Sequence, residues 1–206
     1  MWFLFATSNM GKVRDLTRYL EGADFHLASP QQYSEMKKIS PFQGEVEEVG
    51  TTYEENAALK SCAYFRWAGI PTIGDDSGLE IEALGGAPGL YSARYAGENC
   101  TFDDNIAKVL QELEGVENRR AKFVCTLAFT VSENDTTYFR GELEGAITET
   151  PRKGEGFGYD PIFEVTGTGK TLAQIKQEDA TFETHRVKAM NLFRAHLQAS
   201  HERGMR

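Results

Sequence analysis

Two adjacent carboxylates, Asp75 and Asp76, stand between a short apolar run, Ile70 to Ile73, and a strand-like run, Leu79 to Ala83. A glycine-rich loop, Gly85-Gly86-Ala87-Pro88-Gly89, follows. Paired carboxylates at the end of a buried strand suit a hard cation such as Mg²⁺, which takes oxygen ligands. A glycine-rich turn beside them lets a ligand approach the backbone closely. The sequence D-D-S-G is also ordinary surface-turn chemistry, so its meaning depends on what the rest of the chain supplies.

Four further groups of residues could carry chemistry. Thr7-Ser8-Asn9-Met10-Gly11-Lys12 joins a strand to a helix. Such a loop presents free N–H groups and the positive end of the helix dipole, which suits an anion; Gly11 permits close approach and Lys12 adds a charge. Its plainer reading is a helix cap with an exposed lysine. Glu45, Glu47 and Glu48, with Glu54 and Glu55, form an acidic stretch. One or two of them could complete a metal shell with Asp76, since Mg²⁺ commonly uses one or two carboxylates plus substrate oxygens. In G-E-G-F-G-Y-D-P, Phe157 and Tyr159 stand among glycines beside Asp160. Aromatic faces on a loop can stack a base, and the carboxylate can accept ring N–H groups; the alternative is a loop packed on the core. Thr184-His185-Arg186 places donors at the start of the last helix, where an arginine opposes the dipole. Two other motifs fail. The G-T-G-K-T of 167–171 lacks the first P-loop glycine, having Glu164 there. Gly154-x-Gly156-x-Gly158 is not a dinucleotide fingerprint.

The elements that must position these groups follow from periodicity. Residues 2–6 read as a buried strand, and Val13, Leu16 and Leu20 as a helix to about Glu21. Residues 25–28 read as a second strand, and Ser34 to Gly50 as loop or short elements. Thr52 with Glu55 forms a capping box that opens a helix through Trp67, closed by Gly69 and Pro71. Residues 72–83 give two short strands around the DDSG turn. Thr101 opens a helix with Ile106, Val109, Leu110 and Leu113 on one face. Residues 121–131 alternate as a half-buried strand, with Phe123, Cys125, Leu127, Phe129 and Val131 pointing one way. Residues 136–147 are its antiparallel neighbour across Asn134-Asp135. A strand follows the GEGFGYDP loop. Thr184 caps a last helix that turns Val187, Met190, Phe193 and Leu197 inward. Interleaved helices and strands with an antiparallel pair make the class α/β with a mixed sheet.

At 206 residues the chain can bury one good core, whole or split into two lobes, with no repeats and no linker. A net charge of −9 argues against general nucleic-acid binding, though not against a small anion held by local cations and a metal. Three scattered cysteines, Cys62, Cys100 and Cys125, make neither a disulfide framework nor a zinc site, and imply a reducing, cytoplasmic setting. The apolar start, Trp2 to Ala6, is too short for a signal peptide, and no run is long enough for a membrane span.

Taken in order, T-S-N-M-G-K, E-E-x-G-x-T-Y-x-E-N-A, DDSGLEIEALGGAPGLYSARYAG, G-E-G-F-G-Y-D-P-I-F and T-H-R resemble the inosine/xanthosine triphosphate pyrophosphatase family from residue 4 to about 197. The resemblance implies an elongated mixed sheet flanked by helices, two lobes with the active site in a cleft between them, and one catalytic domain over residues 1–206. It implies a Mg²⁺-dependent homodimer that hydrolyses deaminated purine nucleoside triphosphates to the monophosphate and pyrophosphate. Carried over by position, Thr7, Ser8, Asn9, Met10, Gly11 and Lys12 hold the phosphates. Asp76 is metal ligand and general base, with Asp75 in support, and Ser77 touches substrate. Glu47 is the first choice for a second metal carboxylate and Glu48 the next. Lys60 faces the phosphates. Phe157, Gly158, Tyr159 and Asp160 form the base pocket, which His185 and Arg186 close at the purine edge. The chain departs from the family pattern in having Ala180 where a lysine is usual and Thr184 for a serine; Lys176, four residues before Ala180, is placed to compensate. Maf-type pyrophosphatases and a non-catalytic nucleotide-binding regulator are the competing readings, separable by a substrate panel and by pyrophosphate release with and without Mg²⁺.

Overall fold

The computed structural model describes residues 1–20 and 25–204, so the expected helix end at Glu21 lies outside the described residues. The elements run β1 (Trp2–Ala6), α1 (Met10–Tyr19), β2 (His26–Ala28), α2 (Pro30–Lys37), α3 (Tyr53–Ala68), β3 (Thr72–Ile81), α4 (Phe102–Glu112), β4 (Arg120–Ser132), β5 (Asp135–Ile147), β6 (Phe163–Val165), α5 (Leu172–Glu178) and α6 (His185–Gly204). Six strands form one sheet in the order β2-β1-β3-β4-β5-β6. β1 pairs parallel with β2 and β3, and β5 pairs antiparallel with β6. The two-residue link at 133–134 requires an antiparallel β4–β5 pair. The sheet is therefore mixed, as the sequence pattern requires. Among the described residues no helix is long and apolar enough to cross a membrane.

The chain divides into two compact units. One comprises Met1–Asp76, Cys125–Gly141 and Arg186–Arg206, and the other Ser77–Val124 and Glu142–His185. In the first, Phe3, Phe5, Leu16, Ile73, Leu127 and Phe129 pack with Met190 and Phe193 of α6, rings meeting edge to face. Leu4, Ala28 and Tyr33 pack with Tyr64, Trp67 and Ile70. In the second, Leu79 and Ile81 of β3, Ile106 and Val109 of α4, Phe163 and Leu172 make a separate core.

Several expectations are corrected. The DDSG segment is not a turn between two strands: β3 runs unbroken from Thr72 to Ile81 and is almost wholly buried. Asp and Gly are poor strand formers, but here β3 lies between β1 and β4 and its carboxylates meet cations, so tertiary contacts override local preference. α2, Pro30–Lys37, runs into the start of the Ser34 to Gly50 stretch that reads as loop or short elements. The signal was present: Ser29 and Gln32 make a capping box, with Pro30 at the first helical position. α5 was not anticipated at all, though Thr171 and Gln174 form another capping box. Thr52 caps α3, but Glu55 Oε2 chiefly takes the N–H (2.6 Å) and hydroxyl of Thr51, so the box is displaced by one residue. β4 is buried on both faces over its middle, because neighbouring strands and cores cover it, while Val131 at its end is exposed.

Candidate functional site

β3 explains the geometry at the paired carboxylates. Successive side chains in a strand point to opposite faces, so Asp75 and Asp76 stand back to back. Asp75 faces α1 and α6. Its carboxylate pairs with Lys12 Nζ, and its Oδ2 accepts from Arg186 Nε at 2.7 Å and from Cys125 Sγ at 3.4 Å. Burial alone would raise its pKa, but Arg186 and Lys12 hold it far below the usual carboxylate range. The same burial and the Asp75 charge push the Cys125 thiol up. Arg186 is 1% exposed and also gives Nη1 to Asp15 Oδ2 at 3.2 Å. That guanidinium, expected at the purine edge, thus ties α6 to β3 and α1.

Asp76 faces α3. Gly74, two residues earlier on the same face, allows this: a Cβ there would collide with the Ala57 carbonyl, so only glycine lets α3 lie against the strand. The approach brings Lys60 Nζ to 3.3 Å from Asp76 Oδ1 and 2.7 Å from Glu48 Oε1. Asp76 Oδ2 is buried without a hydrogen-bond partner among the described residues. Burial raises the Asp76 pKa; Lys60 and Lys12 oppose the rise, and Glu48 and Asp75 add to it. Lys60 loses charge stability to burial, yet Asp76 and Glu48 more than restore it and its pKa is raised. Of the acidic stretch, Glu48 reaches this cluster, whereas Glu47 is exposed.

An orphaned carboxylate oxygen beside a second carboxylate fits a cation. Among the described residues no three His, Cys, Asp or Glu side chains gather to hold a metal unaided. Asp76 and Glu48 therefore suit an ion that completes its shell from water or substrate, as Mg²⁺ does.

The T-S-N-M-G-K loop enters α1 at Met10, with Thr7 and Asn9 half-buried and Ser8 and Met10 exposed. Asn9 Oδ1 takes the Gly11 N–H at 2.9 Å and the Lys12 N–H at 3.3 Å, so two of the amides expected for an anion are capped by the loop itself.

In the second unit, Tyr159 is part of the core and donates its hydroxyl to Ser92 O at 2.9 Å. Phe157 and Gly158 are half-buried, as is Ser77. Asp160 Oδ2 accepts from Phe157 N and from Lys176 Nζ, each at 3.0 Å. His185 is buried and stacks on Phe123 with ring centroids 4.8 Å apart. Sequence reasoning placed Lys176 only as a substitute for an absent lysine; its pairing with Asp160 depends on α5, which the sequence pattern missed. Ala180 is exposed.

The Ham1 family model matches residues 3–196. The dITP/XTP pyrophosphatase of Geobacter sulfurreducens is 43% identical over 194 residues, covering 93% of this chain and 94% of that protein. The solved Ham1 protein of Staphylococcus aureus superposes with a TM-score of 0.82 at 40% identity, covering 97% of this chain and 100% of that one. A HAM1 protein from Coxiella burnetii gives 0.83 at 33% identity, over 97% and 99%.

Proposed function

The chain belongs to the Ham1 family, and from that premise we propose that it hydrolyses deaminated purine nucleoside triphosphates, dITP and XTP among them, to the monophosphate and pyrophosphate. Relatives that carry the name dITP/XTP pyrophosphatase over nearly their whole length support the reaction. The observation that carries the site is the Asp76 carboxylate: buried, raised in pKa, shared with Lys60 and Glu48, and with one oxygen unpartnered.

Water attack on a triphosphate is resisted by the negative charge of its oxygens. Lys12 and the loop from Thr7 hold those oxygens, and Lys60 exchanges its carboxylate partners for phosphate as substrate arrives. Asp76 Oδ2 orients the attacking water and takes its proton. The bond between the α and β phosphates breaks, and pyrophosphate leaves. Mg²⁺, held by Asp76 and Glu48, would supply positive charge to the phosphate oxygens. Asp75 has a different task. Held ionised between Lys12 and Arg186, it keeps Lys12 beside the strand. Arg186 acts as its counter-ion. The resemblance supports the half-buried Phe157 and Asp160, which accepts the Phe157 N–H, as residues for the base. The resemblance further supports a homodimer acting on the cytoplasmic nucleotide pool, which sedimentation and fractionation test.

The deciding experiment incubates the protein with dITP, XTP, ATP, dUTP and a modified UTP, with Mg²⁺ and with chelator, and measures pyrophosphate and monophosphate. Release from dITP and XTP that requires Mg²⁺ supports the reading. Preference for the pyrimidine nucleotides, or binding without release, overturns it.

A further inference from the structure

Glu48 stands on the chain between α2 and α3, residues 38–52, which forms neither helix nor strand. A ligand on such a strap is only as well placed as the strap is held. The strap runs back along α3. Gly50 donates its N–H to Asn56 Oδ1 at 2.8 Å, Glu48 meets Lys60, the Phe42 ring stacks on Tyr64 with centroids 4.1 Å and planes 24° apart, and Trp67 donates from Nε1 to Ser40 O at 3.1 Å. Strap and helix are thus antiparallel. Lys60, Tyr64 and Trp67, at i, i+4 and i+7, share one face of α3. The aromatic end is backed in turn: Phe42 meets Trp67 edge-on at 5.9 Å, and Trp67 packs on Tyr33, whose hydroxyl donates to Ala68 O at 2.9 Å. At the other end a Cβ on Gly50 would fall 2.6 Å from Asn56 Oδ1, so glycine lets the strap lie this close. Glu48 is strung between these two anchors.

Glu48 needs anchors that do not depend on Lys60. As the phosphates arrive, Lys60 leaves its carboxylates, and Glu48 and Asp76 then face each other as like charges; Glu48 already raises the Asp76 pKa. Like charges at close range separate unless something holds them. We propose that Phe42 and Trp67 are positioning residues, which clasp the strap to α3 and so keep Glu48 beside Asp76 for a divalent cation. The proposal rests on the reading of Asp76 and Glu48 as the cation's carboxylates. The two aromatic side chains act through Glu48 alone. A clasp that served only stability would lower the melting temperature and leave cation affinity where it was. One that places Glu48 changes the affinity in proportion to the fraction of protein with the strap in position.

Mn²⁺ replaces Mg²⁺ as the probe, since electron paramagnetic resonance counts the free ion. It is titrated into nucleotide-free wild type, Phe42→Ala, Phe42→Tyr, Trp67→Phe, Glu48→Gln and the double variant Phe42→Ala with Glu48→Gln, and melting temperatures are taken alongside. Phe42→Ala is expected to weaken Mn²⁺ binding by about fivefold, and Phe42→Tyr, which keeps the stack, to stay within about twofold of wild type. Trp67→Phe, which loses the N–H but keeps a ring, is expected to weaken binding about two- to threefold. In the Glu48→Gln background Phe42→Ala adds nothing, because the ligand it places is gone. A Phe42→Ala change below about twofold, an equal loss with and without Glu48, or the same loss in Phe42→Tyr as in Phe42→Ala overturns the proposal, whatever the melting temperatures do. Should Phe42→Ala fail to fold, Trp67→Phe decides, and unchanged binding overturns the proposal. The underlying reading fails separately, if wild type binds no Mn²⁺ or Glu48→Gln binds it equally well.

Discussion

Asp75 and Asp76 are neighbours in the chain and opposites in the structure. On one face of β3, Asp75 is sealed between Lys12 and Arg186 and is ionised far into acid. On the other, Asp76 shares one lysine with Glu48, keeps an oxygen unpartnered, and is easier to protonate than an ordinary aspartate. One carboxylate is saturated by buried cations; the other is left wanting a cation or a proton, which is what the proposed chemistry requires. Adjacent charges of one type acquire separate roles because a strand sends them to different surroundings.

The sharpest way to break this contrast is Asp76→Asn. The amide is a poor base and a weak metal ligand, so kcat is expected to fall by about 10²–10⁴-fold. Circular dichroism and the melting temperature stay near wild type, because Lys60 keeps Glu48 as its partner and the change removes a desolvated charge with an unpartnered oxygen. Retention of a tenth or more of kcat would sink the assignment. Asp75→Asn reverses the pattern. It takes the carboxylate from Lys12 and leaves the buried Arg186 guanidinium with Asp15 alone, and breaking a buried pair in this way costs about 3–5 kcal/mol, read as a large drop in melting temperature. The pH dependence has a definite sign. The folded pKa of Asp75 lies below its unfolded value of about 3.9, so its stabilisation is full above that pH and is lost as pH falls toward the folded value. Melts across the acid range should slope steeply for wild type and more gently for Asp75→Asn; equal slopes would remove Asp75 from the account.

Two smaller effects sharpen the comparison. On the Asp76 side, Glu48→Gln is expected to raise the Mg²⁺ concentration for half-maximal activity by roughly tenfold, and Glu47→Gln to leave it unchanged. The reverse outcome would hand the metal to Glu47. On the Asp75 side, Asp15→Asn removes one of the two carboxylates on Arg186 while Asp75 remains. The loss should be about 1 kcal/mol, a few degrees in melting temperature, with kcat intact. A loss of activity at unchanged stability would give Arg186 a direct part in turnover.

Much of the molecule was legible from local pattern. The caps at Thr52 and Thr101, the strand over β4, the inward face of α6 and the mixed class all follow from spacings of a few residues, and the structure has them, although β4 is buried on both faces rather than one. The residue types at the site were legible too, because carboxylates, glycines and cations cluster in short motifs. What the sequence could not determine was which charges meet. Asp75 and Arg186 lie 111 positions apart, and Thr126 of β4 bonds Glu54 across 72. A D-D-S-G that local chemistry writes as a turn becomes a central strand once β1 and β4 flank it. The strand then places the two aspartates on opposite faces. Glu48 rather than Glu47 joins Lys60, and Lys176 joins Asp160, for the same reason: partners of buried charges are chosen by the packing of distant elements, which no short window contains.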